Sequence, residues 1–192
     1  MSQHVTEMVQ RRLEGSLSAI GWLRDHAAEV GAFVEAMRSV LARGGLLATC
    51  GNGGSAAEAL HLAEELVGRY RSSRRPLRAV CLAADPTALT CIANDFGFDQ
   101  IFARQVDALL GPGDALVVFS TSGRSPNVVQ ALEVARRRGA GTFGLLGGEG
   151  GACRPLCDHA LVVPLSDSAF VQEAHQVVMH LCCEAVEGLA TG

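Results

Sequence analysis

The chain contains no lysine; all sixteen of its basic residues are arginine. Schiff-base chemistry and a lysine-bearing phosphate loop are thereby excluded, so any phosphate must be held by backbone N–H groups, hydroxyls or arginine. No C-x-x-C pair occurs among the seven cysteines, Cys50, Cys81, Cys91, Cys153, Cys157, Cys182 and Cys183. Most lie in apolar runs, and the number is odd. They read as small buried hydrophobes in a reducing compartment rather than a disulfide framework. The first residues carry no basic stretch followed by an apolar one, so no secretion signal is expected. No apolar run reaches the roughly 18 residues that span a bilayer. Net charge is −4, and the dense basic runs are only Arg74-Arg75 and Arg136-Arg137-Arg138. These read as solvated arginines on a loop and at a helix end, not as a nucleic-acid surface. A cytoplasmic, soluble protein without nucleic-acid or membrane partners is the expectation.

What is present is enough for a core. At 192 residues with 48% hydrophobic and 19% charged content, the chain suits one folded domain, with no repeat, linker or low-complexity segment. Apolar residues such as Val9, Leu13, Leu17, Ile20 and Leu23 recur at helical spacing, predicting helices over 5–27 and 29–43. After Gly44-Gly45 the period changes. Short continuous apolar runs at 46–50, 79–83, 115–119, 141–146 and 160–164 read as buried strands. Helices are predicted over 55–70, from Asp85-Pro86, over 98–110, over 125–138 and over 168–189. This alternation implies an α/β fold with a five-stranded parallel sheet covered on both faces. The helical pair of 1–44 stands outside the pattern and either covers one face of the sandwich of 45–192 or makes a subunit contact.

Two glycine- or serine-rich turns follow strands. In Cys50-Gly51-Asn52-Gly53-Gly54-Ser55, glycines turn the chain into a helix, and Ser55 with Glu58 reads as a capping box. In Ser120-Thr121-Ser122-Gly123-Arg124-Ser125-Pro126, Ser125 is the N-cap and Pro126 the first helical residue. Four hydroxyls at a helix N-terminus suit a phosphate where no lysine is available. Two such turns at the carboxyl ends of strands in one parallel sheet point to a ligand crevice. Gly51, Gly53 and Ala56 also satisfy a loose dinucleotide-binding pattern. Its acidic partner would be Asp85, 32 residues after Gly53 instead of about 20, and Asp85 has a simpler role as cap before Pro86.

Four residues separate His61 from Glu65, which puts them on one helix face. The last helix offers Gln172, Glu173, His175 and His180. Gln172 and His180 are about 12 Å apart along its axis and share a face only loosely. Taken singly, each histidine reads as a packing residue. If the two helices meet, His61, Glu65, Gln172 and His180 form an N/O set suited to Zn²⁺ or another divalent ion. Glutamate and histidine also form a base–acid pair able to move protons between adjacent carbons.

Several of these segments together resemble a known family. Cys-Gly-Asn-Gly-Gly-Ser at 50–55, the stretch His61-Leu62-Ala63-Glu64-Glu65-Leu66-Val67-Gly68-Arg69-Tyr70, Ala93-Asn94-Asp95-Phe96-Gly97-Phe98, Ser120 to Ser125, and Gln172-Glu173-Ala174-His175 with His180 are similar to the phosphoheptose isomerases. That resemblance implies a three-layer SIS (sugar isomerase) fold with two extra N-terminal helices, assembled as a homotetramer with sites at subunit boundaries. It implies conversion of sedoheptulose 7-phosphate to D-glycero-D-manno-heptose 7-phosphate, towards the nucleotide heptose of lipopolysaccharide. Carried over residue by residue, it makes Glu65 and His180 the proton-transfer pair, and His61, Glu65, Gln172 and His180 the zinc ligands. Asn52, Gly53, Gly54, Ser55, Glu65, Asn94, Asp95, Ser120, Thr121, Ser122, Ser125 and Gln172 would line the sugar-phosphate site, with Arg69 reaching an adjacent subunit. The chain departs from the family at Ala169 and Phe170, where members often carry charged or polar residues. A non-catalytic SIS protein that binds the replication initiator, a sugar-phosphate-sensing module and an isomerase of another ketose phosphate stand as alternatives.

Overall fold

The computed structural model describes residues 3–190. Five parallel strands, β1 (Leu47–Gly51), β2 (Ala79–Cys81), β3 (Ala115–Ser120), β4 (Gly141–Gly147) and β5 (His159–Val163), lie in the order β2-β1-β3-β4-β5. Every residue of β1 and β3 is buried, as expected of central strands covered on both faces. Side chains alternate between the two faces. Ala115, Val117 and Phe119 enter one core; Leu116 and Val118 enter the other.

The first core lies beneath α1 (Gln3–Asp25), α2 (Ala27–Ala42), α3 (Gly54–Val67) and α7 (Ser168–Val186). The second lies beneath α4 (Pro86–Phe96), α5 (Ala103–Leu109) and α6 (Pro126–Arg137). The N-terminal pair therefore covers a sheet face, with Ala19, Leu23, Phe33 and Met37 buried. It also leaves Leu13 and Leu17 of α1 exposed. The Phe170 ring fills the notch left by the missing side chain of Gly15 on α1. Arg12 lies 4.1 Å above that ring and pairs with Glu173, so α7 is docked on α1 by an aromatic–cation contact.

Several boundaries differ from the sequence expectation. The segment 98–110 is a short 3₁₀ turn at Phe98–Gln100 followed by α5. The helix expected to reach Tyr70 stops at Val67, because Gly68 leaves the helical path with its N–H on Glu64 O. The next two residues are thus outside it. Arg74 is not a solvated loop arginine. Its side chain is fully buried and donates to Leu66 O (2.9 Å) and Glu65 O (2.6 Å), satisfying carbonyls that the end of α3 leaves open. Cys91 is exposed, while Cys50, Cys81, Cys153, Cys182 and Cys183 are buried as expected. Burial pushes the thiols of Cys153 and Cys183 up to about 12, which keeps them protonated.

Replacing Arg74 with Met keeps much of its apolar stem but removes the charged donors. Stability to urea should fall by about 1.5–3 kcal/mol, whereas Arg75→Met, at an exposed neighbour, should leave the midpoint unchanged.

Candidate functional site

The strand order changes direction between β1 and β3, and both turns singled out in the sequence follow these two strands. In a doubly wound sheet this is the position where a ligand crevice opens. The two turns are tied together by a reciprocal amide pair: Asn52 and Asn127 each donate to the other's oxygen at 2.9 Å. Asn127 is buried and its Oδ1 also accepts from Val128 N (3.0 Å). It closes the second turn's motif, Ser120 to Asn127, where the sequence gave its side chain no role.

The first turn differs from the capping box read from the sequence. Helix α3 starts at Gly54, with Gly53 as N-cap at φ +57 and no side-chain capping bond. Ser55 is already inside the helix and buried, and Glu58 is buried facing His175 rather than reaching back to a cap. A Cβ at residue 54 would collide with the carboxamide of Gln172, so glycine there lets α7 approach the start of α3. In the second turn Ser125 is the N-cap and Pro126 opens α6, as expected. Ser125 makes no capping bond with its side chain. Ser120 Oγ accepts from Gly123 N (3.0 Å) and Ser122 Oγ from Arg124 N (3.3 Å), which shapes the turn around its backbone. Thr121 is half-buried beside them. Asp85 caps α4 by accepting from Thr87 N and Ala88 N, the simpler of its two expected roles.

Helices α3 and α7 lie side by side and run the same way. Gln172 meets Gly54 near their starts, and further along His61, Glu65, Gln176 and His180 gather on the shared edge. His61 Nε2 is 3.3 Å from Glu65 Oε1, and the two imidazole centroids are 5.4 Å apart at 83°. Tyr70 stacks on His180 with ring centroids 5.7 Å apart. Gln176 and Tyr70 were not among the residues expected from sequence. The carboxamide that meets both imidazoles belongs to Gln176, whereas that of Gln172 lies against Gly54. His175 is buried with its Nε2 on Leu146 O (3.2 Å), and Glu173 pairs with Arg12; neither joins this cluster.

The other expected residues are more scattered. Asn94 and Asp95 are exposed near the end of α4, where Asn94 donates to Asp95 Oδ1 at 2.7 Å. No hydrogen bond joins them to the two turns among the described residues. Arg69 is exposed just beyond α3 and has no partner within the described chain. One atom from each of His61, Glu64 and Glu65 lies within 4.8 Å of the others, a spacing and donor chemistry that fit a divalent ion.

His180 is held below the ordinary imidazole value. Burial of the ring is the largest cause; His61 also lowers it, Glu65 raises it and Arg71 lowers it. The folded chain therefore binds a proton at His180 less readily than the unfolded chain. The neutral ring favours folding above about pH 6.5, and that contribution is lost as pH falls towards the lower folded value. Urea midpoints measured across this window should drop less steeply for His180→Gln than for the parent chain.

Comparison with known proteins agrees with this geometry. Residues 19–147 match the SIS domain family. A phosphoheptose isomerase of Solidesulfovibrio magneticus is 48% identical over 188 residues, covering 97% of this chain and 92% of that protein. The structure of a phosphoheptose isomerase from Neisseria gonorrhoeae superposes with a TM-score of 0.89 at 36% identity, covering 95% of this chain and 98% of the other. One from Francisella tularensis gives 0.91 at 33% identity, covering 97% and 99%. With a parallel sheet in SIS order, glycine- and hydroxyl-rich turns at its switch point and an acid–imidazole cluster between two helices, the chain belongs to the phosphoheptose isomerase family of SIS-domain proteins.

Proposed function

We propose that the protein is an aldose–ketose isomerase interconverting sedoheptulose 7-phosphate and D-glycero-D-manno-heptose 7-phosphate through a cis-enediol. The observation that carries this reading is the meeting of Glu65 and His180, from two separate helices, in one cluster with His61. One of the pair removes the proton from C1 of the ketose, and the other returns a proton at C2 and relays one between the two oxygens. The C2 carbonyl becomes a hydroxyl-bearing carbon as C1 becomes the aldehyde, so no outside oxidant or reductant is needed. A neutral His180 near pH 7 is in the form that accepts a proton.

The turn of Ser120, Thr121, Ser122 and Ser125, with the backbone of Gly53, Gly54 and Ser55, would hold the phosphate at the starts of α6 and α3. Asn52, Asn94, Asp95 and Gln172 would contact the sugar. Binding energy at the phosphate then fixes carbons at the far end of the substrate. His61, Glu65 and His180, with Gln172 as a further ligand, would hold Zn²⁺, which when bound polarises the carbonyl oxygen. Gln172 stands two turns before His180 on α7, so its carboxamide would have to swing from Gly54 towards the cluster to join the other ligands. The unpartnered Arg69 would reach a neighbouring subunit of a homotetramer and complete its site. The exposed Leu13 and Leu17, together with a 430 Å³ apolar groove between α1, α2 and α7, supply a face for such contacts.

The whole of 1–192 would act as one unit, with its helical pair 1–44 on the sandwich 45–192. Among the described residues no helix is long and apolar enough to cross a membrane. That accords with a cytoplasmic role in making nucleotide heptose for lipopolysaccharide. The alternative of a non-catalytic SIS protein bound to the replication initiator lacks the acid and second imidazole; Glu65 and His180 favour the enzyme.

Turnover of sedoheptulose 7-phosphate, assayed with and without a chelator and with metal content measured on the same sample, tests the reading. Glu65→Gln and His180→Gln should each lower kcat by about 10²–10⁴-fold; near-normal turnover in either variant removes that residue from the pair. Light scattering should give a mass about four times that of the chain, and Leu17→Glu, which buries a charge in the proposed contact, should shift it to smaller species. A monomeric parent chain would exclude the tetramer.

A further inference from the structure

Gln176 lies outside the residues to which the proposed reaction gives a role. It stands on α7 one turn before His180, on the same helix face. Its Nε2 is 2.8 Å from His61 Nδ1 and 3.3 Å from His180 Nε2. Among the described residues it is the one side chain hydrogen-bonded to both rings.

Proton accounting makes this contact specific. A carboxamide nitrogen carries two protons and accepts nothing, so each imidazole nitrogen facing it must offer a lone pair. His61 then carries its proton on Nε2, the atom 3.3 Å from Glu65 Oε1, and donates to the carboxylate. His180 carries its proton on Nδ1. The opposite amide orientation would put an oxygen between the rings and require both to donate to it. His61 Nε2 would then turn a lone pair towards the Glu65 carboxylate, two acceptors facing each other without an ion between them. With both rings neutral, the network thus assigns the donor orientation.

We infer that Gln176 is a positioning residue, a carboxamide bridge that sets the tautomer of His61 and fixes the His180 ring relative to it. The inference rests on the reading above, in which Glu65 and His180 handle the substrate's protons. Through Gln176 the two imidazoles are held by one rigid planar group, so Glu65 always meets the same face and the same proton of His61. A hydrophobic residue at 176 would fill the space without setting either ring. In the metal-free chain a glutamate would set His61 the other way round, because it accepts but does not donate. Were His61 to hold a divalent ion, its free ring N–H would need an acceptor, and the carboxamide could turn to offer its oxygen, an outer contact of the kind that orients metal-bound histidines.

The test uses Gln176→Met, close in length but without donors, and Gln176→Glu, the same shape with acceptors only. Imidazole nitrogen signals of histidine-labelled full-length protein are recorded with chelator present, above the imidazole titration range. Sedoheptulose 7-phosphate kinetics and melting curves are measured on the same variants without chelator. The parent chain should show His61 as the single Nε2–H tautomer. The Met variant should mix tautomers and lose about 10-fold or more in kcat while KM stays within about 2-fold. The Glu variant should move the proton of His61 to Nδ1 in the spectra recorded with chelator. Unchanged His61 and His180 signals in the Met variant overturn the inference, as does parental kcat in that variant, whatever its melting temperature. If the parent chain fails to turn over the sugar phosphate, the isomerase reading falls, and the nitrogen signals still decide whether Gln176 sets the rings.

Discussion

The parallel packing of α3 against α7 is the constraint on which the site depends. Beside the contact, Leu62 and Leu66 of α3 and Met179 and Cys183, on the Gln176–His180 side of α7, are buried in one core. Burial of each leucine contributes about 1.5–3 kcal/mol. Both helices rise at the same rate and point the same way, so a register fixed at one end carries to the other. The bare backbone of Gly54 sets it at the start by admitting Gln172. At the far end Arg74 holds the last carbonyls of α3 and lies 3.6 Å from Glu187, just past α7. His61 and Glu65 are thereby held beside Gln176 and His180.

The sheet contributes the other half. Strands β1 and β3 are hydrogen-bonded neighbours, so the turns that follow them emerge side by side, and the Asn52–Asn127 amide pair closes the gap between them. Helix α3 leaves one turn for one face of the sheet, and α6 leaves the other for the opposite face. Two helix N-termini consequently converge at one point, where an anion is favoured without any lysine. The anchoring point and the acid–imidazole cluster are connected by α3 itself, about 10 Å from Gly54 to His61.

Much of this was legible in the chain. The five apolar runs became five parallel strands because a strand covered on both faces needs no polar side, and that produces an unmistakable pattern. Ser125-Pro126 and Asp85-Pro86 marked helix starts correctly, since proline at the first helical position costs no hydrogen bond. Ser55 and Glu58 misled. They match a capping box in spacing, but glycine at 53 and 54 starts the helix earlier and turns both side chains into the interior. Arg74 misled in the same way, because a basic pair on a loop looks solvated until a helix end with open carbonyls is found beneath it. Gln176 carried no signal, and Asn127 and Tyr70, though inside the motifs, had no readable role, for their partners lie between 4 and 115, 75 and 110 residues away in the chain.

By itself the sequence determined the elements, the layering and the chemical inventory: hydroxyl-rich and glycine-rich turns after strands, a His–Glu pair at one helical turn's spacing, a terminal helix bearing glutamines and histidines. These are local properties, written in periodicity and in the conformational limits of glycine and proline. Only the tertiary structure decided which face of α7 meets α3, and therefore that Gln176 rather than Gln172 touches the two imidazoles. The helical period places both glutamines within reach of that edge. The choice between them follows from side-chain packing between segments more than a hundred residues apart, which no local pattern encodes.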